Sequence, residues 1–245
     1  MKNLLFIFSL SFIFLFSCSS ENNDDTAIDD NSLVLVKKIE TSEGFTMNLF
    51  YNENKLIETI AERNNFYSAT KYTYAGSLIS KIERYNENNQ PTGYFESYEY
   101  NNNKLIKRKI YSNNNLVEEW NLTYINNKIR MYHPTNSEGE YWLYYLDSNN
   151  NVVKFETYYN NQVVQTSIIT YDNKNNPYKN VLGLNLFIND WFEVSNNNQI
   201  TATIETNSEN YYSNHTYQYN PQNYPVSAIV FDSDDNSEVF YTYYY

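Results

Sequence analysis

The chain has 245 residues, with 29 Asp and Glu against 17 Lys and Arg, and a formal net charge of −12. An acidic chain repels phosphate backbones, so nucleic acid is excluded as an expected partner. The single cysteine excludes an internal disulfide. With only five glycines and five prolines but 27 tyrosines, and with many asparagines, the composition predicts tyrosine-rich strands joined by asparagine turns.

The first residues have the pattern of a secretory signal. Lys2 provides the positive charge, and the apolar run at residues 4–16 is too short to span a bilayer as a helix. Leu15-Phe16-Ser17-Cys18 resembles the lipobox of bacterial lipoproteins, although Phe16 replaces the usual small residue. The resemblance implies removal of residues 1–17 and membrane attachment through a lipidated Cys18, each buried methylene contributing about 0.8 kcal/mol. An ordinary signal peptide with an incidental cysteine is the alternative.

Residues 18–32 are polar and acidic, and they predict a disordered tether before a single domain at residues 33–245. Loss of Lys2 with the signal would change the charge to 16 − 29 = −13. Acidic residues soon after Cys18 (Glu21, Asp24 and Asp25) resemble the export signal of surface-exposed lipoproteins of the Bacteroidota. We therefore expect an outer-membrane lipoprotein on the cell surface, with the periplasmic side as the alternative.

Tyrosines that precede asparagine-rich turns recur along the domain. These marker tyrosines are spaced by 21 to 26 residues, with one step of 48, and they are Tyr51, Tyr74, Tyr100, Tyr124, Tyr145, Tyr171, Tyr219 and Tyr243. A period near 24 fits two strands and two turns. The long step suggests one unit that has lost its marker. Within it, residues 185–194 are interpreted as an irregular insertion or a strand pair.

Each unit is a predicted β-hairpin. In Tyr98–Ile110, for example, a tyrosine-bearing strand enters an asparagine turn and returns through Leu105 and Ile106. Eight or nine such units imply on the order of 14–18 strands, which is more than an open twisted sheet usually holds without curling. We predict an all-β fold, a long and strongly curved antiparallel meander of repeated hairpins. A two-sheet β-sandwich or a half-barrel is the alternative.

The repeat resembles the YD/RHS-type repeats, and in particular the repeat lipoproteins of the Bacteroidota that carry them. The matching residues are Tyr72-Thr73-Tyr74 with Leu78–Ile82, Tyr98-Glu99-Tyr100 with Leu105-Ile106-Lys107, and Tyr171–Tyr178. Asparagine stands here where those repeats usually have glycine. The resemblance implies an antiparallel hairpin array without defined catalytic residues. The toxin-enclosing shell of long RHS proteins is not implied, because this chain has too few repeats.

Few residues offer catalytic or metal-binding chemistry. The two histidines, His133 and His215, have no ligand-like neighbours and are interpreted as exposed strand or turn residues. Asp232, Asp234 and Asn236 match the first ligands of an EF-hand loop, but the glycine and the final glutamate of that motif are missing, so they remain a weak calcium candidate. No cofactor is predicted. Glutamates such as Glu96, Glu99 and Glu118 are interpreted as a solvated face.

The aromatic residues are the best candidates for ligand contact. Flat rings with polar edges suit sugars and protein surfaces, and the candidates are Trp142, Tyr144, Trp120 and Trp191. The domain is therefore expected to be a non-enzymatic binding or structural module for a glycan or an envelope protein. A carboxylate-dependent glycan hydrolase and a periplasmic carrier of an apolar ligand are the alternatives. If function is local, it should lie where the period breaks, at residues 177–212, or on the concave face of the sheet.

Overall fold

The computed structural model describes residues 33–136, 139–186, 195–206 and 208–245. The described chain is built almost entirely of antiparallel strands. They are β1 (Lys38–Thr41), β2 (Thr46–Asn52), β3 (Lys55–Arg63), β4 (Phe66–Ala75), β5 (Leu78–Tyr85), β6 (Pro91–Asn101), β7 (Lys104–Ser112), β8 (Asn115–Ile125), β9 (Lys128–Tyr132), β10 (Glu140–Leu146), β11 (Val152–Tyr159), β12 (Gln162–Tyr171), β13 (Gln199–Thr206), β14 (Asn210–Tyr219), β15 (Pro225–Asp232) and β16 (Ser237–Tyr244).

These strands form one closed barrel in which each strand pairs with its neighbours in sequence. The sheet closes because β1 pairs with β16, with Lys38 opposite Tyr244 and Thr41 opposite Tyr241. The expected open meander, with its sandwich and half-barrel alternatives, is therefore wrong. Closure has a clear physical basis, since an open sheet of this size leaves two unpaired edges and twist brings those edges together.

Asparagine serves the turns through its tolerance of left-handed backbone. Two-residue connections place both central residues at positive φ, as in Asn102 (49°) and Asn103 (60°) or Asn113 (50°) and Asn114 (63°). These are the conformations of type I′ turns, whose twist matches that of the flanking strands. The asparagine clusters thus define the hairpins and leave the glycines for a few special positions.

Most of the marker tyrosines point into one end of the barrel and bond to backbone carbonyls there. The hydroxyls of Tyr51, Tyr100, Tyr124 and Tyr171 donate to the carbonyls of Val36, Ile79, Leu105 and Val152 at 2.7–3.0 Å. A β-bulge follows most of these tyrosines, so that Tyr100 faces Leu105 while Glu99 faces Lys107. A bulge locally interrupts the strand ladder, and the next marker along the chain supplies a partner there, since Leu105 O accepts from the Tyr124 hydroxyl.

A segment between β12 and β13 crosses this same end. We call residues 172–186 and 195–198, the described residues between these strands, the plug segment. Leu182 N donates to Asn54 O in the β2–β3 turn, and Asn196 Nδ2 donates to Asn149 O in the β10–β11 turn. Asn175 bonds to the β14–β15 turn through Gln222 O and Asn223 O. We call this the plugged end.

Gly183 fixes where the plug segment meets the wall. Its φ is +75°, and a Cβ atom built on it would lie 2.7 Å from Ser77 O. Leu184, the first residue of a short 3-10 helix (Leu184–Leu186), packs against both hydrophobic clusters of the barrel. Because β12 pairs directly with β13, the barrel holds one hairpin, β13 with β14, and not two between Tyr171 and Tyr219. Residues 187–194, which make up most of the stretch interpreted as an irregular insertion or a strand pair, lie outside the described residues. The described part of the extra length belongs to the plug segment.

The opposite end is not crossed by any described segment, and we call it the open end. Its turns bond to their neighbours around the rim, as in Asn113 N to Gly93 O and Ser233 N to Tyr212 O. In the described part of the chain, no helix is long and apolar enough to cross a membrane.

Candidate functional site

Strand alternation gives the barrel wall an inner and an outer face. On β14 every second residue is exposed, whereas Tyr211, Ser213, His215, Tyr217 and Tyr219 are half-buried and lie on the same side as the inward markers. Cross-strand register extends the same assignment around the barrel. The inner face is therefore a continuous surface, which ends at the plug segment on one side and at the rim of the open end on the other.

The outer face carries lysine–glutamate pairs along the middle of its strands. Lys107 pairs with Glu119 at 2.9 Å, Lys109 with Glu99 at 2.6 Å, and Lys81 with Glu83 at 2.9 Å. In a lipid-facing barrel wall each mid-strand lysine would cost about 2–4 kcal/mol. Several of them would together offset most of the free energy of unfolding of an ordinary domain. The outer face of β5–β8, which carries these pairs, is therefore suited to water.

A pair of tryptophans lies on the inner face of β8 and β10. The ring centroids of Trp120 and Trp142 are 4.4 Å apart with an interplanar angle of 40°, and His133 meets Trp120 edge-on at 5.7 Å. Trp120 Nε1 donates to Glu118 Oε2 at 3.1 Å. Both indoles are half-buried, packing on the core on one side. This tryptophan pair offers a broad aromatic surface with polar groups at its edge.

A buried ion pair lies beside the tryptophan pair. Arg108, directly opposite Trp120, donates from Nε to Glu96 Oε2 at 2.6 Å, and the two side chains are only 12% and 11% exposed. Tyr98 and Tyr94 donate their hydroxyls to the same carboxylate at 2.7 and 3.3 Å. Burial alone would raise the pKa of Glu96, but the bonds from Arg108 and both tyrosines outweigh it, and the net pKa is lowered. Glu96 is thus held ionised.

A chain of uncharged polar side chains lies on the inner face of β13 and β14. Gln199 Nε2 donates to His215 Nε2 at 3.0 Å, and Ser213 Oγ lies 3.3 Å from the same nitrogen. Because an amide NH₂ group only donates, the neutral imidazole must hold its proton on Nδ1, which lies 3.3 Å from the Tyr217 hydroxyl. Burial lowers the pKa of His215 to about 4, although Asp232 opposes the shift. We call Gln199, Ser213, His215 and Tyr217 the polar ladder.

The four aromatic residues that the sequence suggests as ligand contacts do not share one position in the structure. Trp120 and Trp142 come together on the inner face as a possible contact surface. Tyr144 is 2% exposed and belongs to the core, so it is not available for ligand contact. Trp191 and Cys18 lie outside the described residues, and their roles in ligand contact and lipid attachment stay predictions.

The weak calcium candidate forms the β15–β16 turn at the open end. Asp232 Oδ1 accepts a bond from Asp234 N at 2.9 Å, and Asn236 takes a positive φ of 55°. Asp235, rather than Asn236, accepts from Ser237 N. No group of three or more His, Cys, Asp or Glu side chains that could hold a metal occurs in the part of the chain that the structure describes. These contacts are those of a plain acidic turn.

Sequence reasoning missed three inner-face residues. Glu96 was assigned to a solvated face and His215 to an exposed strand or turn, and Arg108 was not singled out. The signal was present in the alternation, because Tyr94, Glu96, Tyr98 and Tyr100 share one parity. The same holds for His215 among the tyrosines of β14. A charged or polar residue on the tyrosine parity marks the inner face.

Comparison with known proteins shows a similarity in fold and none in sequence family. No protein-family model and no curated protein sequence matches the chain. Among solved structures, a porin-like protein from Bacteroides vulgatus is similar, with a TM-score of 0.54 and 14% identity over 86% of this chain and 98% of that one. A porin-like protein from Bacteroides uniformis is similar with a TM-score of 0.53 and 13% identity, covering 85% and 97%. At this identity the likeness shows a shared closed barrel fold.

Proposed function

We propose that the protein is a non-enzymatic binding module of the bacterial cell envelope, attached to the outer membrane through Cys18, which holds a glycan inside its barrel. The observation that carries the proposal is the tryptophan pair on the inner face, set beside the Glu96–Arg108 pair. Aromatic faces stack on the apolar faces of sugars, and the neighbouring polar edges bond to hydroxyls. The porin-like barrels from Bacteroides support an envelope setting through their fold.

The two ends of the barrel fit a container more closely than a pore. The plug segment crosses one end and is tied to turns on several sides of it. Leu33, the first described residue, precedes Val34, whose carbonyl accepts a bond from Asn180 of the plug segment. The stretch that leads into β1 is thus held at the plugged end.

The inner face favours a sugar ligand over the two alternatives. A glycan hydrolase needs a carboxylic acid that can donate a proton, whereas Arg108 and two tyrosines keep Glu96 ionised. A carrier of apolar ligands needs an aliphatic lining. Leu105, Leu122 and Met131 are at most 4% exposed and lie in the core, whereas tryptophan, tyrosine, histidine and glutamine are prominent among the half-buried inward residues.

Calorimetric titration with a panel of soluble glycans tests the proposal. Replacing Trp120 or Trp142 with alanine should weaken binding about 10- to 100-fold, the usual effect of removing an aromatic anchor. Phe95→Ala is the matched control, because Phe95 and Tyr111 form a stacked pair on the outer face, also with centroids 4.4 Å apart. Equal loss in the control, or no effect of either tryptophan variant, would refute the proposal. Urea unfolding verifies that each variant is folded.

A further inference from the structure

The side chains of the polar ladder are suited to hydrogen bonding with the hydroxyl groups of a ligand. It combines an amide, two hydroxyls and a neutral imidazole, all joined within 3.3 Å along the chain Gln199–His215–Tyr217 and His215–Ser213. No lysine or arginine occurs from residue 199 to 245, so this wall has no cation to attract an anion. The charged group that faces it is the carboxylate of Asp232, on β15 opposite Ser213.

The polar ladder and the tryptophan pair are too far apart for one sugar ring. Trp142 lies on β10 and Gln199 on β13, so three strand spacings of about 4.8 Å, roughly 14 Å in all, separate them across the strands. They are also offset along the strands, because Trp142 is level with Thr206 at the far end of β13 from Gln199. The inner faces of β11 and β12 between them carry Thr157, Gln165 and Ser167, where Gln165 Nε2 donates to Ser167 Oγ at 3.5 Å. Thr157 and Gln165 therefore extend the polar surface sideways from Trp142, whereas Ser167 is 1% exposed and belongs to the core.

From these placements we propose that the polar ladder is a second saccharide subsite, and that the barrel takes an extended, uncharged oligosaccharide. The tryptophan pair holds one portion of the chain, and the ladder bonds to hydroxyls several units further along. This inference rests on the proposed function, because it assigns a length and a charge to the glycan. It adds Gln199 and His215 as residues that determine specificity.

The test is a calorimetric length series. The probes are neutral gluco-, manno- and xylo-oligosaccharides from monosaccharide to hexasaccharide, with uronic-acid oligomers of matched length. For the neutral series, affinity should rise at least about tenfold between disaccharide and hexasaccharide, and uronic-acid oligomers should bind more weakly. His215→Ala and Gln199→Ala should each lower hexasaccharide affinity about tenfold, the range of one or two lost hydrogen bonds, and leave disaccharide affinity unchanged.

Matched variants separate this inference from the proposed function. Thr216→Ala alters the exposed outer-face neighbour of His215 and should change no affinity. His215→Gln keeps a hydrogen-bonding side chain and should recover part of the loss. If tryptophan variants abolish binding while ladder variants leave hexasaccharide affinity intact, the second subsite is refuted and the proposed function stands. Tighter binding of uronic-acid oligomers refutes the stated charge preference. If no member of the panel binds the unaltered protein, both are refuted.

Discussion

The inner and outer faces of the same strands differ in how they arrange charged side chains. The outer face places lysine and glutamate on adjacent strands, where each exposed pair contributes at most about 1 kcal/mol. The inner face carries few charges, and it surrounds the Glu96–Arg108 pair with tyrosine hydroxyls. On the strands that carry these pairs, the contrast indicates an outer face suited to water and an inner face organised to hold a ligand. The outer face of β13–β16 differs, since it has no lysine or arginine and exposes apolar side chains such as Ile229 and Phe240.

The largest test of this contrast is a pair of neighbouring residues on β7. Arg108→Met would leave the Glu96 carboxylate buried without its main partner, and we expect a loss of about 3–4 kcal/mol in the free energy of unfolding. Lys109→Met removes an outer-face cation whose partner Glu99 is 48% exposed, and should cost no more than about 0.5 kcal/mol. Urea denaturation measures both. Similar losses in the two variants would contradict the contrast.

The pH dependence of stability offers a second test on the inner face. The folded protein lowers the pKa of His215 from 6.5 to about 4, so the unfolded chain takes up a proton first as pH falls. Stability from this group should be complete above pH 6.5 and decline by up to about 3 kcal/mol as the pH falls to about 4. In His215→Gln that part of the decline should disappear between pH 7 and 5. An unchanged pH profile would show that His215 is not buried on the inner face.

The plug segment gives a third comparison, between two glycines at the plugged end. Gly183→Ala places a Cβ 2.7 Å from Ser77 O at a φ of +75°, and should cost about 2–3 kcal/mol. Gly76→Ala has a φ of +66° but meets nothing within 4 Å, so it should show only the backbone cost of about 1 kcal/mol. Thermal unfolding of both variants measures the difference. Equal costs would mean that the plug segment does not press on the β4–β5 turn.

The smallest effect concerns a tyrosine on each face. Tyr100→Phe removes the inner hydroxyl that donates to Ile79 O at 2.8 Å, and should cost about 1 kcal/mol. Tyr212→Phe removes a hydroxyl from a side chain that is 48% exposed on the outer face, and should change stability by no more than about 0.3 kcal/mol. Chemical denaturation with replicate curves can resolve this difference. A larger loss of stability in Tyr212→Phe than in Tyr100→Phe would contradict the assignment of the two faces.

Local features of this fold were readable in the sequence, whereas closure was not. Asparagine pairs and marker tyrosines are short-range sequence signals, and the hairpins could be predicted from them. Closure depends on pairing the four-residue strand β1 with β16, some 200 residues away in sequence, and no local pattern reports such a pairing. The step of 48 residues was misread for a related reason, because an insertion that packs across the barrel end has the length of a repeat.

The candidate site was partly predictable. Trp120 and Trp142 were nominated as contacts from their chemistry, and the structure brings them together. Tyr144 was nominated on the same grounds, yet cross-strand register places it in the core, where its neighbours come from other hairpins. The two faces could be told apart only where alternation is strict. Polar residues stand on both parities of β6 and β14, so polarity alone misplaced Glu96 and His215, although the tyrosines of each strand mark the inner parity.

The claim that the outer face lies in water can be tested directly with residues 33–245, produced without the signal and Cys18. We expect this barrel to remain monomeric in buffer without detergent and to leave planar lipid bilayers non-conducting. Sedimentation velocity and bilayer conductance measure the two properties. A barrel that stays dispersed only in detergent and opens conducting pores in the bilayer would contradict the account.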